Sequence, residues 1–349
     1  MKVSEEEKKW LDFIELCRPD KVGTKRSGSA DFELLAGDGS TRRFYRVRGA
    51  GFRAVLMVNP EAPANSAGTV DENDSFVYLA GLLRRVGAGA PEVYGYQREE
   101  GLVLMEDVGD NCLQERILSE GTDSDWTEKT YCRLLDLLLV VQFEGEALFE
   151  PARVFNPTYD ADFMFEAEGL YFAEYFVERH CGVKADRLRE ELRRLADRAA
   201  ETIGRLVLVY RDFQSRNIFL DRKEKFRLLD LQGARLGPPA YDPASLIYDP
   251  YVALPDRLRT VLVRYYHKKL AERSAETAEA FLRQFPLIAA HRLMQALGAY
   301  ARLSLVDGKE YFLRHVPAAL ADLRQLISSE TFEDFTGLRA TVNKLEPAV

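Results

Sequence analysis

Cysteine is scarce in this chain. Its four copies in 349 residues, Cys17, Cys112, Cys132 and Cys181, are too scattered for a disulfide framework or a thiolate metal centre. They read as small apolar residues kept reduced. Four histidines (His180, His267, His291 and His315) likewise lack metal-ligand spacing and read as packing or surface residues. No uninterrupted apolar run approaches the roughly 18 residues that span a bilayer. The opening Met-Lys-Val-Ser-Glu-Glu-Glu-Lys-Lys has no apolar signal core, so a cytoplasmic protein without a membrane partner is expected. Basic excess is missing too: 48 Lys and Arg against 56 Asp and Glu leave a formal net charge of −8. That balance argues against a nucleic-acid partner. There is no internal repeat and no low-complexity tract.

What is present is a globular composition, 46% hydrophobic and 30% charged, on a chain long enough for two lobes. Residues 4–17 place Trp10, Leu11, Phe13, Ile14 and Leu16 at near-helical spacing. Strands are predicted over 31–35, 44–48 and 51–58, then a helix over 71–86, then strands over 93–96 and 102–105. Five strands with one inserted helix describe the N-lobe of a kinase, and Glu106-Asp-Val-Gly-Asp110 reads as a hinge. Beyond it the pattern is mainly helical, with a buried helix over Leu134–Val141. Further helices are expected over 164–178, 188–206, 256–272, 275–284, 286–304 and 316–328. The predicted class is α+β: residues 1–105 a β-rich N-lobe, 106–110 a hinge, 111–349 a helical C-lobe.

The most informative segment is Leu208-Val-Tyr-Arg-Asp-Phe-Gln-Ser-Arg-Asn-Ile-Phe-Leu220, followed by Leu228-Leu-Asp-Leu-Gln232. Asp212 opens a loop after an apolar strand, Asn217 precedes a second strand, and Asp230 closes a third. This is the spacing of phosphoryl transferases, in which one carboxylate receives the proton of an attacking hydroxyl. An amide oxygen and a second carboxylate then hold magnesium on the nucleotide phosphates. Asp212 is therefore the candidate base, and Asn217 and Asp230 the candidate metal ligands.

The turn Gly37-Asp-Gly-Ser-Thr-Arg-Arg43 joins the first two strands. Gly37 and Gly39 let backbone amides approach a polyphosphate, while Ser40, Thr41, Arg42 and Arg43 add donors and charge. An ordinary β-turn with solvent-facing arginines is the plain alternative. The third strand, Ala54-Val-Leu-Met-Val-Asn59, lacks the Lys that protein kinases place there, so Arg42 or Arg43 is expected to replace its charge. Glu106 and Val108 are candidate backbone partners for an adenine edge. Asp242, before Pro243, is a strong helix N-cap signal and alternatively a brace for the catalytic loop.

These residues resemble the aminoglycoside phosphotransferase family, which has a protein-kinase-like bilobal fold and phosphorylates small molecules with ATP and Mg2+. Tyr210-Arg-Asp-Phe-Gln-Ser-Arg-Asn217 is similar to its catalytic loop, with Tyr210 where His is usual. Within that family the chain looks most like the bacterial N-acetylmuramate/N-acetylglucosamine anomeric kinases. The similar segments are Gly37 to Val47, Leu104 to Asp110, Asp230 to Asp249, Leu297 to Leu303 and Tyr311 to Pro317. It departs from them at Asn59, Leu231, Leu293 and Gln295. The resemblance implies substrate contacts at Glu168, Arg211, Gln214 and Arg292. It also implies a monomeric enzyme that phosphorylates the anomeric hydroxyl of an amino sugar during cell-wall recycling. The alternatives are a kinase of aminoglycosides, choline or homoserine, and a nucleotide-binding pseudokinase.

Overall fold

The structure, a computed structural model, describes residues 5–18, 31–35, 42–49, 52–59 and 69–346. Gly37, Gly39, Ser40 and Thr41 of the expected phosphate turn lie outside the described residues. The chain forms two compact units. One comprises Met1–Asn111, Leu148–Pro157 and Phe219–Ala234; the other comprises Cys112–Ala147, Thr158–Ile218 and Arg235–Val349.

In the first unit, α1 (Glu5–Cys17) begins with three glutamates, which suit the positive end of a helix dipole. It buries Trp10, Phe13 and Ile14 in one cluster with Val47, Ala54, Leu56 and Leu104. The strands are β1 (Asp31–Leu35), β2 (Arg43–Gly49), β3 (Phe52–Val58), β4 (Val93–Gln97) and β5 (Leu102–Glu106). They form one antiparallel sheet in the order β1-β2-β3-β5-β4. β3 is central and almost wholly buried, which explains its run of Ala, Val, Leu and Met without polar alternation. Gly95 in β4 is required by packing, since a Cβ there would sit 2.3 Å from the Cys17 sulfur. Helix α2 (Glu72–Arg85) starts with a capping box. Asp71 accepts from the Asp74 amide at 2.8 Å and Asp74 from the Asp71 amide at 3.1 Å.

Two later segments join this unit through hydrogen bonds that the linear pattern does not show. Tyr78 donates to the Leu148 carbonyl at 3.1 Å and accepts from the Glu150 amide at 2.6 Å. The hairpin of strands Ile218–Leu220 and Phe226–Leu228 is tied on by Leu220 N to Asn111 O (2.9 Å) and Leu228 N to Gly89 O (3.2 Å).

The second unit is mainly helical. Helix α3 (Leu113–Glu120) precedes α4 (Asp125–Glu146), which Ser124 caps and which buries Leu134, Leu135, Leu138 and Val141. A short α5 (Ala161–Phe163) runs on into wide π-type turns over Met164–Leu170 and Phe172–His180. The expected helix over 164–178 is therefore present with an uncommon winding, which is often found at functional sites. Helix α6 (Asp186–Glu201) stops short of the expected Leu206, because Leu206 leads straight into a strand whose ladder needs extended backbone. That strand, Val207–Val209, pairs antiparallel with Arg235–Gly237.

Helices α7 (Tyr241–Ile247), α8 (Asp256–Arg273) and α9 (Ala275–Leu305) follow. A break before Pro286 was expected, but α9 continues through it. Proline inside a helix costs about 3 kcal/mol. Burial of Phe281, Phe285, Ile288 and Ala289 on either side offsets that cost. Gly298 of α9 lets the π-type helix approach, since a Cβ there would lie 2.7 Å from the Tyr171 ring. The C-terminal helices are α10 (Val316–Ile327) and α11 (Thr336–Lys344).

Candidate active site

Tyr210 ends the apolar strand, and the next two residues turn sharply. Arg211 has φ +80°, which a side chain with a Cβ rarely adopts, so something must hold it there. Asp242 does so: its carboxylate accepts from the Tyr210 amide at 2.7 Å and the Arg211 amide at 2.8 Å. The expected N-cap role goes instead to Ala240, which leaves Asp242 inside α7 facing the loop. Burial pushes the Asp242 carboxyl up to about 7, against the two amides, and the nearby Asp212 charge acts in the same direction as burial.

Held this way, the loop presents Asp212 between two guanidinium groups. Arg211 Nη1 lies 3.3 Å from one carboxylate oxygen and Arg292 Nη2 lies 3.8 Å from the other. Arg292 is itself fixed by Ser245 Oγ (3.0 Å), Gln214 Oε1 (3.3 Å) and Gln295. The Asp212 carbonyl accepts from the Gln214 amide and from the Asn217 side-chain nitrogen, both at 2.9 Å. That last bond orients Asn217: with its nitrogen engaged, the oxygen is the atom left to act as a ligand. One residue along, Asp249 accepts from Ser215 N at 2.8 Å and Ser215 Oγ at 2.6 Å.

Asp230 belongs to the first unit and also has a left-handed backbone, φ +63°. Its Oδ1 accepts from Arg42 at 2.8 Å and from Gln232 at 2.9 Å. Arg42 is buried, whereas Arg43 turns outward to Glu6 at 3.0 Å and Tyr45. Of the two arginines, Arg42 therefore reaches the carboxylate that was expected to hold metal. Among the described residues no group of three or more His, Cys, Asp or Glu side chains could hold an ion by itself. Taken singly, the Asp230 carboxylate and the Asn217 amide oxygen are ligand types that suit magnesium, a hard cation usually bound by one or two carboxylates plus substrate phosphates rather than by an all-protein cage.

The segment 106–110 is pinned to the sheet. Asp107 accepts from Arg46 Nε at 2.7 Å, from Arg53, and from the Gly109 amide at 3.0 Å. Burial works to raise its carboxyl, but these donors win and hold it below the usual range. The Glu106 amide is taken by the Glu92 carbonyl at 2.8 Å, so only its carbonyl can serve a ligand. Glu106 and Val108 line a cleft of about 730 Å³ together with the hairpin turn 221–225. Neither Arg42 nor Asp230 lines it, so this cleft does not mark the phosphate chemistry.

Glu168, expected to face substrate, is buried. Tyr159 donates to one of its oxygens at 2.5 Å and Tyr241 to the other at 3.1 Å. Burial raises its carboxyl to about 7 despite both tyrosines and the Arg292 charge. His291 Nδ1 is 3.6 Å away and neutral, because burial pushes that imidazole down to about 4.

Residues 31–282 match the model of the phosphotransferase enzyme family, well over half of the chain. The chain belongs to that family. It is accordingly a small-molecule kinase with a hydroxyl acceptor, and its β-rich and helical units are those of the protein-kinase-like fold. It is 29% identical over 318 residues to the N-acetylmuramate/N-acetylglucosamine kinase of Pseudomonas aeruginosa, covering 88% of this chain and 87% of that one. Among solved structures it is similar in fold to a choline kinase from Streptococcus pneumoniae (TM-score 0.60, 14% identity, 92% and 100% coverage). One structure of that kinase holds AMP. It is also similar to an aminoglycoside phosphotransferase complexed with GDP and kanamycin (TM-score 0.57, 13% identity, 92% and 99% coverage).

Within this phosphotransferase the second unit brings together Asp212, Asn217, Arg211, Gln214, Arg292 and Asp242, and the first brings Arg42 to Asp230. Sequence reasoning missed three groups: Asp249 under Ser215, the Arg46–Asp107 pair, and the tyrosines on Glu168. A signal existed for the first, since Tyr-Asp-Pro occurs at 241–243 and again at 248–250.

Proposed function

We propose that this enzyme transfers the γ-phosphoryl group of ATP to the anomeric hydroxyl of N-acetylmuramate or N-acetylglucosamine. The observation behind the reaction type is the braced loop, in which Asp242 holds Arg211 in a strained conformation and so presents Asp212. The acceptor follows from the curated relatives, which are named for those sugars and whose length this chain nearly spans.

In this proposal Asp212 orients the acceptor hydroxyl and takes its proton late, because a loose transition state needs little nucleophile activation. Asn217 and Asp230 are the residues that would hold magnesium, which would supply positive charge against the phosphate oxygens. Arg42, beside Asp230, fills the place of the missing strand Lys, and the Glu106 carbonyl and Val108 amide take the adenine edge. Arg292 and Gln214 meet the acceptor next to Asp212. Glu168 supports that wall from behind, because both of its oxygens are engaged by tyrosines. Positioning and fixed charge provide most of the acceleration.

The test is ADP release with ATP and magnesium across N-acetylmuramate, N-acetylglucosamine, an aminoglycoside and choline, followed by mild acid treatment of the product. An acid-labile sugar phosphate is expected. A stable phosphate ester formed only with choline or the aminoglycoside would move the acceptor to another small alcohol. Nucleotide binding without ADP release on any acceptor would point to a pseudokinase.

A further inference from the structure

The Asn217 end of the loop has a second anchor. The Arg216 guanidinium, immediately before Asn217, lies 4.7 Å from the ring centre of Tyr251 and 5.6 Å from that of Phe312. Tyr251 is held in turn, edge-on to Tyr300 at 5.8 Å and to His315 at 4.6 Å. Its own amide donates to Asp249 at 2.9 Å, the same carboxylate that binds Ser215. Ser215 and Arg216 are thus held by this packed surface, and the Cys112 thiol also donates to their carbonyls at 3.6 and 3.7 Å. Tyr300, Phe312 and His315 all come from beyond residue 282, where the family match ends.

We propose that Arg216, seated on Tyr251 and Phe312, is a positioning residue that aims the Asn217 oxygen at the divalent cation. Asn217 has one backbone bond, to Gln214 O at 3.0 Å, and one side-chain bond, to Asp212 O at 2.9 Å. Both partners lie on its N-terminal side within the same loop, so neither stops the loop from moving as a body. A guanidinium stacked on aromatic faces contributes about 0.5–2 kcal/mol, more as water is excluded. Asp249 and the Arg216 seat hold the loop from outside it, and Arg216 is the residue directly before Asn217. Groups that orient a metal ligand typically change metal affinity by about 10–100-fold when removed. This inference rests on the metal assignment above.

The experiment measures Mn2+ affinity in the presence of ADP, by the electron paramagnetic resonance signal of free Mn2+, on the full chain. Arg216→Ala is expected to weaken Mn2+ binding by about 10-fold while metal-free ADP affinity stays unchanged. Arg216→Lys is expected to lose less, since it keeps the charge without the flat stack. Thermal unfolding checks that each variant is folded; should Arg216→Ala not fold, Arg216→Lys and Phe312→Leu carry the measurement. Folded variants whose Mn2+ affinity stays within about twofold of wild type would overturn the inference and leave the kinase reading standing. Wild-type protein that binds no Mn2+ with ADP would overturn both, because the seat would then have no ion to serve.

Discussion

Asp242 and Asp249 stand in the same tripeptide, Tyr-Asp-Pro, and hold opposite ends of one loop. Both carboxylates are buried and both are raised by that burial. Asp242 engages the two amides before the candidate base, while Asp249 engages Ser215 on the way to the candidate metal ligand. Asp242 sits in the first turn of α7 and Asp249 lies just past its C-terminal end, so one short stretch of chain supplies the carboxylates at both ends of the loop. The difference lies in what each end has to do: the Asp242 end must keep a strained backbone, the Asp249 end must keep an orientation.

That contrast sets an order of expected effects. Asp212→Asn removes the base itself and should lower kcat by about 10²- to 10⁴-fold with nucleotide affinity nearly unchanged; an intact kcat would end the assignment. Asp242→Asn leaves one of two buried amides facing a like donor and should cost about 1–3 kcal/mol in unfolding free energy. With it, kcat should fall at every magnesium concentration. Asp249→Asn should instead raise the magnesium requirement by about 10-fold, with much of kcat restored at saturating metal. If both Asn variants respond to magnesium identically, the loop moves as one piece and the comparison between its ends is lost.

The last effect is on stability alone and separates Glu168 from both anchors. Its carboxyl sits at about 7 in the fold against an ordinary value of 4.5, so the folded state holds the proton more tightly. Below the unfolded value both states are protonated and the group contributes nothing. As pH rises through the window between the two values, the unfolded chain ionises freely while the buried group resists. Stability therefore falls, by on the order of 3 kcal/mol, and levels off above it. Glu168→Gln should make this slope shallower without removing it, because Asp242 and Asp249 are raised as well. Denaturant midpoints at several pH values across that window measure the slope, and an unchanged one would return Glu168 to an unburied, solvated state.

Much of this was legible in the residues. Alternation and apolar runs marked β1 to β5 and α2 within a residue or two, and the strand-bounded Asp212, Asn217 and Asp230 marked a phosphoryl-transfer chemistry. Local patterns report local geometry well because period and turn chemistry act over a few residues. They failed where a distant partner decides. Asp242 before Pro243 has the signature of a cap, yet the waiting amides of Tyr210 and Arg211 claimed its carboxylate. Arg42 and Arg43 look equivalent side by side, but Arg43 opens β2 and turns outward to Glu6, while Arg42, just before the strand, is buried and meets Asp230. Pro286 signals a break that burial on both sides overrides.

By itself the sequence determined the α+β class, the order of most strands and helices, and the phosphotransferase class, and it proposed Asp212, Asn217 and Asp230 as the side chains for that chemistry. Only the tertiary structure decided which carboxylates brace the loop, which arginine meets Asp230, and that Glu168 is sealed under two tyrosines. The reason is that a buried carboxylate takes whatever donors the packed chain brings to it, and most of those donors lie tens of residues away, beyond the reach of any local pattern.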